Sequence, residues 1–243
     1  MSAALADYQS ISQTLASQGF VILRRFLDQA ELAWLEQACH PIINDYGVRQ
    51  VLQTHPDIAR SLPWQKIISV LDAAGISTAK PVRSLYFNKN AAHNWLVPWH
   101  QDMTICVSQK AELAGYGKWT QKNGVHHVEP PAEVLDQMLT MRIAMDAANH
   151  ENAALKVLAG SHRHGKLKGK QLDAYIEKSR DADMHICTMQ AGDALLMRPL
   201  LLHASDKAVN ASQRRVLHLE FSATALPAPM QWAEAAQISG TSN

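Results

Sequence analysis

Three side chains that can bind one metal ion occur in two short segments of this sequence. His100 and Asp102 stand two residues apart, and His203 follows the apolar run Leu200–Leu202. In a strand from Val97 to Val107, side chains alternate between two faces, so His100 and Asp102 would share one face about 7 Å apart. Two histidines and a carboxylate form the facial triad of non-haem Fe(II) oxygenases. The pattern therefore predicts an iron site, with the alternative that His-x-Asp is a chance tripeptide and His203 a hydrogen-bonded core histidine.

A cation and a hydroxyl near His203 stand at positions that suit a carboxylate ligand. Arg214 precedes the strand Arg215–Leu219, and Ser205 shares a face with His203 if that strand continues. A buried arginine is costly unless it meets an anion, and its planar fork matches the two oxygens of a carboxylate. Arg214 and Ser205 therefore predict a site for the distal carboxylate of a dicarboxylate. The alternative for Arg214 is a surface charge, which we expect for Arg215 because strand neighbours face opposite ways.

The elements that must position these residues begin with a mainly helical segment, about residues 1–80. Helical patterns run from Asp7 to Gln18 and from Pro63 to Ala74, and a glycine follows each one. Between them, Asp28 with Glu31 three residues later is typical of a capping box, and we expect that helix to reach Tyr46.

Short strands separated by turn residues follow Pro81. The predicted strands are residues 82–88, 97–107, 141–146, 155–158, 186–189, 194–197 and 216–221. Residues 108–129 show little periodicity, so we expect a long functional loop there, for instance a lid. Helices followed by many short strands predict an α+β chain with a mainly β core, a barrel or jelly roll. We expect one domain over residues 1–243, with this core at about 81–222 and a surface extension at 223–243.

Composition excludes several classes of partner. Lysine and arginine number 23 against 22 acidic residues, so neither a nucleic-acid surface nor a membrane-surface patch is expected. The three cysteines are scattered and odd in number, which favours a reducing cytoplasm over a disulfide framework. The first residues carry no signal-peptide pattern, and no apolar run is long enough to span a membrane.

Together these motifs resemble the phytanoyl-CoA dioxygenase (PhyH-like) family of Fe(II)- and 2-oxoglutarate-dependent oxygenases. The segments that carry the resemblance, which extends from Phe20 to about Phe221, are residues 97–102, 158–163, 197–205 and 214–215. It implies a double-stranded β-helix, that is, a jelly roll with N-terminal helices packed outside. It also implies that His100, Asp102 and His203 bind Fe(II). By the same resemblance, Arg214 and Ser205 hold the 5-carboxylate of 2-oxoglutarate.

The resemblance further implies an oxygenase reaction on a small-molecule substrate. 2-Oxoglutarate and O₂ would fill the open iron positions, with release of succinate and CO₂ and hydroxylation of a metabolite. Halogenating relatives replace the carboxylate ligand with a small residue, so Asp102 favours hydroxylation. Ala153 and Ala159 depart from the family pattern of glycine and proline, which bears on loop shape rather than on metal binding.

Two other functions stay open. The same iron chemistry can serve desaturation or cyclisation, and a jelly roll can bind a metal or ligand without turnover. The intact set of His100, Asp102, His203 and Arg214 argues against a mere binder, since such a protein has no need of an open iron site beside a dicarboxylate clamp.

Further residues are weaker candidates for the site. Lys89 and Asn88 precede the iron strand closely enough to help bind 2-oxoglutarate. Trp119 and His127 fall in the expected loop and could close over the substrate, although a polar surface loop is an equal alternative. Arg142 lies in a strand predicted to line the barrel, where it could meet an acidic substrate group or a structural carboxylate. The identity of the substrate and the oligomeric state are not predicted by the sequence.

Overall fold

The computed structural model describes residues 2–179, 183–210 and 212–234, and the side chains from residue 10 onward. Over these residues the chain is mixed α and β with mainly β-sheet, which confirms the predicted class. None of the described helices is both long and apolar enough to cross a lipid bilayer.

Most helices lie in the first third of the chain, as predicted. Their bounds are α1 (Ser2–Ser17), α2 (Gln29–Cys39), α3 (Val51–Thr54), α4 (Pro56–Ser61), α5 (Trp64–Ala73), α6 (Ala132–Asp136) and α7 (Lys170–Lys178). The capping box is present, since Asp28 Oδ1 accepts from Glu31 N at 2.9 Å and Glu31 Oε2 accepts from Asp28 N at 2.9 Å. The prediction that α2 reaches Tyr46 is wrong, because Pro41 offers no N–H and the chain tightens there into a 3₁₀ turn.

Thirteen strands in the described residues form three antiparallel sheets. Their bounds are β1 (Phe20–Leu23), β2 (Gly47–Arg49), β3 (Lys80–Lys89), β4 (Val97–His100), β5 (Ile105–Val107), β6 (Gly117–Lys122), β7 (Val125–Glu129), β8 (Met138–Ala144), β9 (Lys156–Leu158), β10 (Met184–Ile186), β11 (Ala194–Met197), β12 (His203–Ser205) and β13 (Arg214–Ser222). The sheet orders are β1-β11-β8-β13-β3-β2, β10-β9-β12-β4 and β5-β7-β6.

The six-stranded sheet divides the main core from the candidate site. On its outer face Leu217, Leu219 and Phe221 of β13 are buried together with helical residues such as Leu35 and Ile67. The intervening residues of β13 point to the other face, because strand side chains alternate. This inner face lines a cavity.

Two predictions about the middle of the chain are corrected by the structure. Residues 97–107 form two strands rather than one. The strand β4 ends at His100, because the backbone N–H of Asp102 donates a hydrogen bond to Pro199 O at 2.9 Å. Residues 108–129 contain the hairpin β6–β7 rather than a long loop.

The C-terminal segment is likewise more than a surface extension. Met230 and Glu234 are buried, and Trp232 forms a bridge with Val107. The prediction for residues beyond 234 lies outside the described part of the chain.

Candidate metal and anion site

A cavity of about 130 Å³ lies between the six-stranded sheet and the four-stranded sheet. Its lining residues are Arg83, Leu85, Phe87, Lys89, Trp95, Val97, His100, Asp102, Arg142, Leu155, His203, Ser205, Arg214, His218 and Glu220. This wall combines imidazoles, carboxylates and cations, which is an unusual set to bury unless they meet ligands.

The three predicted metal-binding side chains converge at one side of this cavity. His203 of β12 is the direct cross-strand partner of His100 at the end of β4, and their ring centroids are 4.1 Å apart. His100 Nε2 lies 3.9 Å from Asp102 Oδ1, and His203 Nε2 lies 3.7 Å from Asp102 Oδ2. One ligand atom from each residue falls within 4.8 Å of the others, a spacing that can hold a metal ion.

The hydrogen bonds of the two histidines suit metal binding. His100 Nδ1 donates to Pro98 O at 2.8 Å, and His203 Nδ1 donates to Leu201 O at 2.9 Å. A carbonyl only accepts, so each Nδ1 carries a proton, and in the neutral ring the Nε2 lone pair is then directed toward Asp102. Asp102 Oδ2 is buried without a hydrogen-bond partner among the described residues. Two imidazole nitrogens and an unsatisfied carboxylate oxygen are a donor set that fits a divalent transition metal.

The protonation states in this cluster also suit a metal. Burial lowers the pKa of His203 to about 4, against the opposing effect of Asp102, so the ring is neutral at pH 7. Burial raises the pKa of Asp102, but the adjacent His203 and His218 outweigh it and hold that pKa below its ordinary value. Neutral imidazole and ionised carboxylate are the forms that bind metals.

An anion clamp lies farther along the same cavity. Arg214 of β13 and Lys89 of β3 are cross-strand partners, so their side chains share the inner face. Lys89 Nζ donates to Ser205 Oγ at 3.0 Å and to Asp206 O at 2.7 Å. Arg214 Nε donates to Asn152 O at 3.2 Å, and neither cation has a carboxylate partner in the described part of the chain. Two buried cations beside a hydroxyl are a donor set that could hold a carboxylate.

The pKa values of the clamp reflect its burial among like charges. Burial, with Arg214 and Arg142 nearby, lowers the pKa of Lys89 to about 8. Burial and the Arg142 charge lower the pKa of Arg214 to about 10. A bound dianion would offset both penalties, because an opposite charge favours the charged form of each side chain.

Some of the weaker candidates lie away from the cavity. The Asn88 side chain points to the opposite face of β3, where it donates to Ile43 O at 2.8 Å. Trp119 packs in the cluster around the three-stranded sheet, and His127 lies against Cys106 with Sγ 3.6 Å from Nδ1. Of the three predicted substrate residues, only Arg142 lines the cavity.

Arg215 also differs from its prediction as a surface charge. It is buried, and its Nη2 lies 2.7 Å from both Asp146 Oδ1 and Glu36 Oε1. Arg215 does lie on the face opposite Arg214, as strand alternation requires, but helix α2 rather than solvent covers that face.

Three polar residues of the cavity wall were not predicted from the sequence. They are Arg83 of β3 and His218 and Glu220 of β13. A signal for two of them was available, since Arg214, Val216, His218 and Glu220 alternate along one strand and must share the face of Arg214. Polar residues on this face, with Leu217, Leu219 and Phe221 on the other, indicate that this face does not pack in the hydrophobic core.

Fold and site together describe a mainly β protein in which two histidines and a carboxylate lie in one cavity with two buried cations. Comparison with known families agrees, because the family model "Phytanoyl-CoA dioxygenase (PhyH)" matches residues 15–216. The chain belongs to the phytanoyl-CoA dioxygenase family, and as a member of this family of 2-oxoglutarate-dependent oxygenases it is an enzyme. No curated protein sequence matches the chain significantly.

Solved structures share the fold at low sequence identity. EctD from S. alaskensis with bound Fe superposes with a TM-score of 0.69 at 16% identity, over 92% of this chain and 77% of EctD. The α-ketoglutarate-dependent carbocyclase SnoK from nogalamycin biosynthesis gives 0.66 at 17%, over 88% and 83% of the two chains. AviO1 from Streptomyces viridochromogenes Tue57 gives 0.65 at 18%, over 91% and 97%. At these identities the likeness establishes the fold and says nothing of the substrate.

Proposed function

We propose that this protein is an Fe(II)- and 2-oxoglutarate-dependent dioxygenase that hydroxylates a small-molecule metabolite and releases succinate and CO₂. The observation that carries the proposal is one cavity that combines two histidines and a carboxylate at metal-binding distance with two buried cations that have no carboxylate partner among the described residues. Family membership supports the same chemistry. EctD, a neighbour of this fold, has been solved with 2-oxoglutarate and 5-hydroxyectoine.

Each side chain has a distinct task in this proposal. His100, Asp102 and His203 would hold Fe(II), and the Pro98 and Leu201 carbonyls fix the two rings with Nε2 free. Iron with 2-oxoglutarate, when bound, supplies O₂ activation and oxygen transfer to a C–H bond.

The anion clamp would hold the other end of the co-substrate. Arg214 and Lys89 would bind the distal carboxylate of 2-oxoglutarate with Ser205 as a hydroxyl partner. The apolar residues Phe87, Leu85 and Leu155 would exclude water from the rest of the cavity.

The alternatives differ in how well the site supports them. Asp102 fills the position that a halide would need, which disfavours halogenation. Desaturation or cyclisation is the second candidate within the same chemistry, because the structural neighbours include SnoK, a carbocyclase, and SnoN, an epimerase. A non-catalytic binding protein is disfavoured, because such a protein would not need a site for a dicarboxylate next to a metal site with open coordination positions.

The finer points of architecture belong to the same proposal. The six- and four-stranded sheets that face each other across the cavity support a jelly roll with outer helices. One domain spans the chain, with the helical part at about 1–80, the core at about 81–222 and the extension from 223 onward. Three free and buried cysteines support a cytoplasmic location.

The test is Fe(II)-dependent release of CO₂ from 2-oxoglutarate by the full chain, supplied with O₂ and a small-molecule extract. We expect succinate to form in equal amount, and we expect the His100→Ala variant to lose the activity. His40→Ala is the matched control, because His40 is exposed and outside the cavity. Folded wild type that releases no CO₂ with iron present would refute the proposal.

A further inference from the structure

The cavity wall beside Asp102 carries a chain of four hydrogen-bonded polar side chains. Arg142 Nη1 donates to His218 Nδ1 at 2.9 Å, and His218 Nε2 donates to Glu220 Oε1 at 3.1 Å. Arg83 Nη1 donates to the same Glu220 oxygen at 3.0 Å. The chain crosses β8, β13 and β3, and all four side chains line the cavity together with Asp102. We call it the arginine wall.

The hydrogen bonds of the arginine wall fix its charge. A guanidinium can only donate, so His218 Nδ1 accepts from Arg142 and its proton lies on Nε2. The ring is therefore neutral, and the wall contains two cations against one carboxylate. A second metal site made of Asp102, His218 and Glu220 is disfavoured, because both His218 nitrogens are engaged and Glu220 is paired with Arg83.

The two arginines of the arginine wall have N–H donors without acceptors among the described residues. Among the described residues, the only side-chain hydrogen bond of Arg142 goes to His218, and Arg142 has no carboxylate partner. Arg83 Nε is buried with no hydrogen-bond partner in the described part of the chain. A buried guanidinium N–H without an acceptor lowers the stability of the folded protein, and such a group indicates a binding site for a ligand that supplies the acceptor.

The charge of the whole cavity favours an anion as that ligand. Its wall carries four cationic side chains and two carboxylates. Fe(II) and doubly ionised 2-oxoglutarate would cancel each other's charge. The loaded cavity therefore keeps an excess of two positive charges, which attracts an anion from solution.

We propose that the arginine wall binds a carboxylate of the primary substrate, so that the substrate class is small carboxylic acids. This inference rests on the proposed function. Arg83 is the principal anchor, because it lines the cavity away from the clamp and Nη1 is its only side-chain nitrogen with a hydrogen-bond partner among the described residues. Arg142 contributes the second guanidinium, and the His218–Glu220 pair holds both arginines in place.

The experiment compares carboxylic acids with their primary amides, a change that removes the charge while nearly keeping the shape. Binding is measured by calorimetry to the anaerobic complex of the full chain with Fe(II) and 2-oxoglutarate, and succinate formation is measured in parallel. We expect acids to bind at least tenfold more tightly than their amides. Arg83→Gln is expected to abolish this preference, about a tenfold loss or more for the acids. Arg83→Lys should keep part of it.

The control variant is Arg60→Gln, because Arg60 is an exposed arginine paired with Asp57 outside the cavity. It should leave the acid preference unchanged. Amides that bind as well as acids, a panel in which no acid binds, or an Arg83→Gln variant that keeps the preference would each overturn the inference. If Arg83→Gln does not fold, the wild-type comparison of acids and amides decides alone. The visible band of the Fe(II)–2-oxoglutarate complex reports separately on the proposed function, since its absence would overturn that function and not the preference for acids.

Discussion

The two candidate histidine ligands are held in the same way. Each one donates Nδ1–H to the carbonyl of the residue two positions earlier, Pro98 for His100 and Leu201 for His203. Because these partners belong to the backbone, no other side chain has to be placed to set the tautomer. The site is therefore built into the local geometry of two strands, and the carboxylate of Asp102 completes it.

The carboxylate of Asp102 leads to a prediction about stability and metal binding. Because the pKa of Asp102 lies below its ordinary value, the folded protein favours the ionised carboxylate, and Asp102→Asn should lower the unfolding temperature of the metal-free protein at pH 7. The same variant should bind Fe(II) at least tenfold more weakly, since loss of a ligand costs no less than loss of its supporting hydrogen bond. Anaerobic thermal unfolding with and without Fe(II) measures both effects. A variant still stabilised by iron as strongly as wild type would contradict this role.

Arg214 and Arg215 offer a matched pair in one strand. Arg214→Met should raise the 2-oxoglutarate concentration needed for half saturation by about tenfold or more, because a charge-assisted pair is lost. Arg215→Met should leave that concentration unchanged but lower the free energy of unfolding by about 2–3 kcal/mol, because it breaks the pairs with Asp146 and Glu36. Calorimetric titration and urea unfolding of both variants separate the two roles. Equal 2-oxoglutarate affinity in the two variants would count against the clamp.

At the scale of elements, Asp193 joins the end of β1 to the turn before β11. Its carboxylate accepts from Arg25 N at 2.7 Å, Arg24 Nη1 at 2.8 Å and Gln190 N at 2.9 Å. Asp193→Ala takes this acceptor from the backbone N–H groups of Arg25 and Gln190, whereas Arg24 Nη1 keeps Thr188 O at 2.9 Å, so we expect a loss of about 2 kcal/mol in the free energy of unfolding. Chemical denaturation at pH 7 measures it, and a loss near zero would show that the turn holds without this carboxylate.

The same residue gives a pH dependence. Burial raises the pKa of Asp193, but the hydrogen bonds from Gln190 and Arg25 outweigh it and lower that pKa below 3.8. A carboxyl with a lowered folded pKa stabilises the protein above its unfolded pKa, and this contribution is lost as pH falls toward the folded value. The difference in stability between wild type and Asp193→Asn should therefore shrink below about pH 4. A difference that grows in acid would contradict this assignment.

The sequence predicted some of these elements well and others poorly, for physical reasons. The start of α2 was predicted from Asp28 and Glu31, because a capping box is an interaction between residues close in sequence. Hairpin β6–β7 escaped prediction, since β6 is largely exposed and its polar residues such as Lys118 and Gln121 show no buried face. Arg214 was predicted as a site residue because a buried arginine needs an anion as its partner. Arg83 was not predicted, because its place in the cavity depends on which strands become neighbours.

At the scale of the whole molecule, one sheet serves both stability and the site. The outer face of β13 packs under the helices, and its inner face carries Arg214, His218 and Glu220. The fold therefore keeps its hydrophobic core separate from the charged cavity, which lets the cavity retain unsatisfied groups. The family match over residues 15–216 spans both parts.

This division predicts that core and site can be perturbed independently. Leu217→Ala on the outer face should lower the free energy of unfolding by about 3 kcal/mol, because Leu217 is fully buried among the helices. The folded variant should still bind 2-oxoglutarate with wild-type affinity. Unfolding in urea and calorimetry on the folded protein check both parts, and an affinity that falls with stability would show that the two faces are coupled.

The measurement that tests the central claim most directly is an anaerobic titration of Fe(II) and 2-oxoglutarate into the full chain, followed by the visible charge-transfer band of the chelate. We expect a band in wild type, no band in His100→Ala, and a band in Arg214→Ala only at much higher 2-oxoglutarate. If well-folded, metal-loaded wild type gives no band with 2-oxoglutarate in excess, the cavity is not a dioxygenase site.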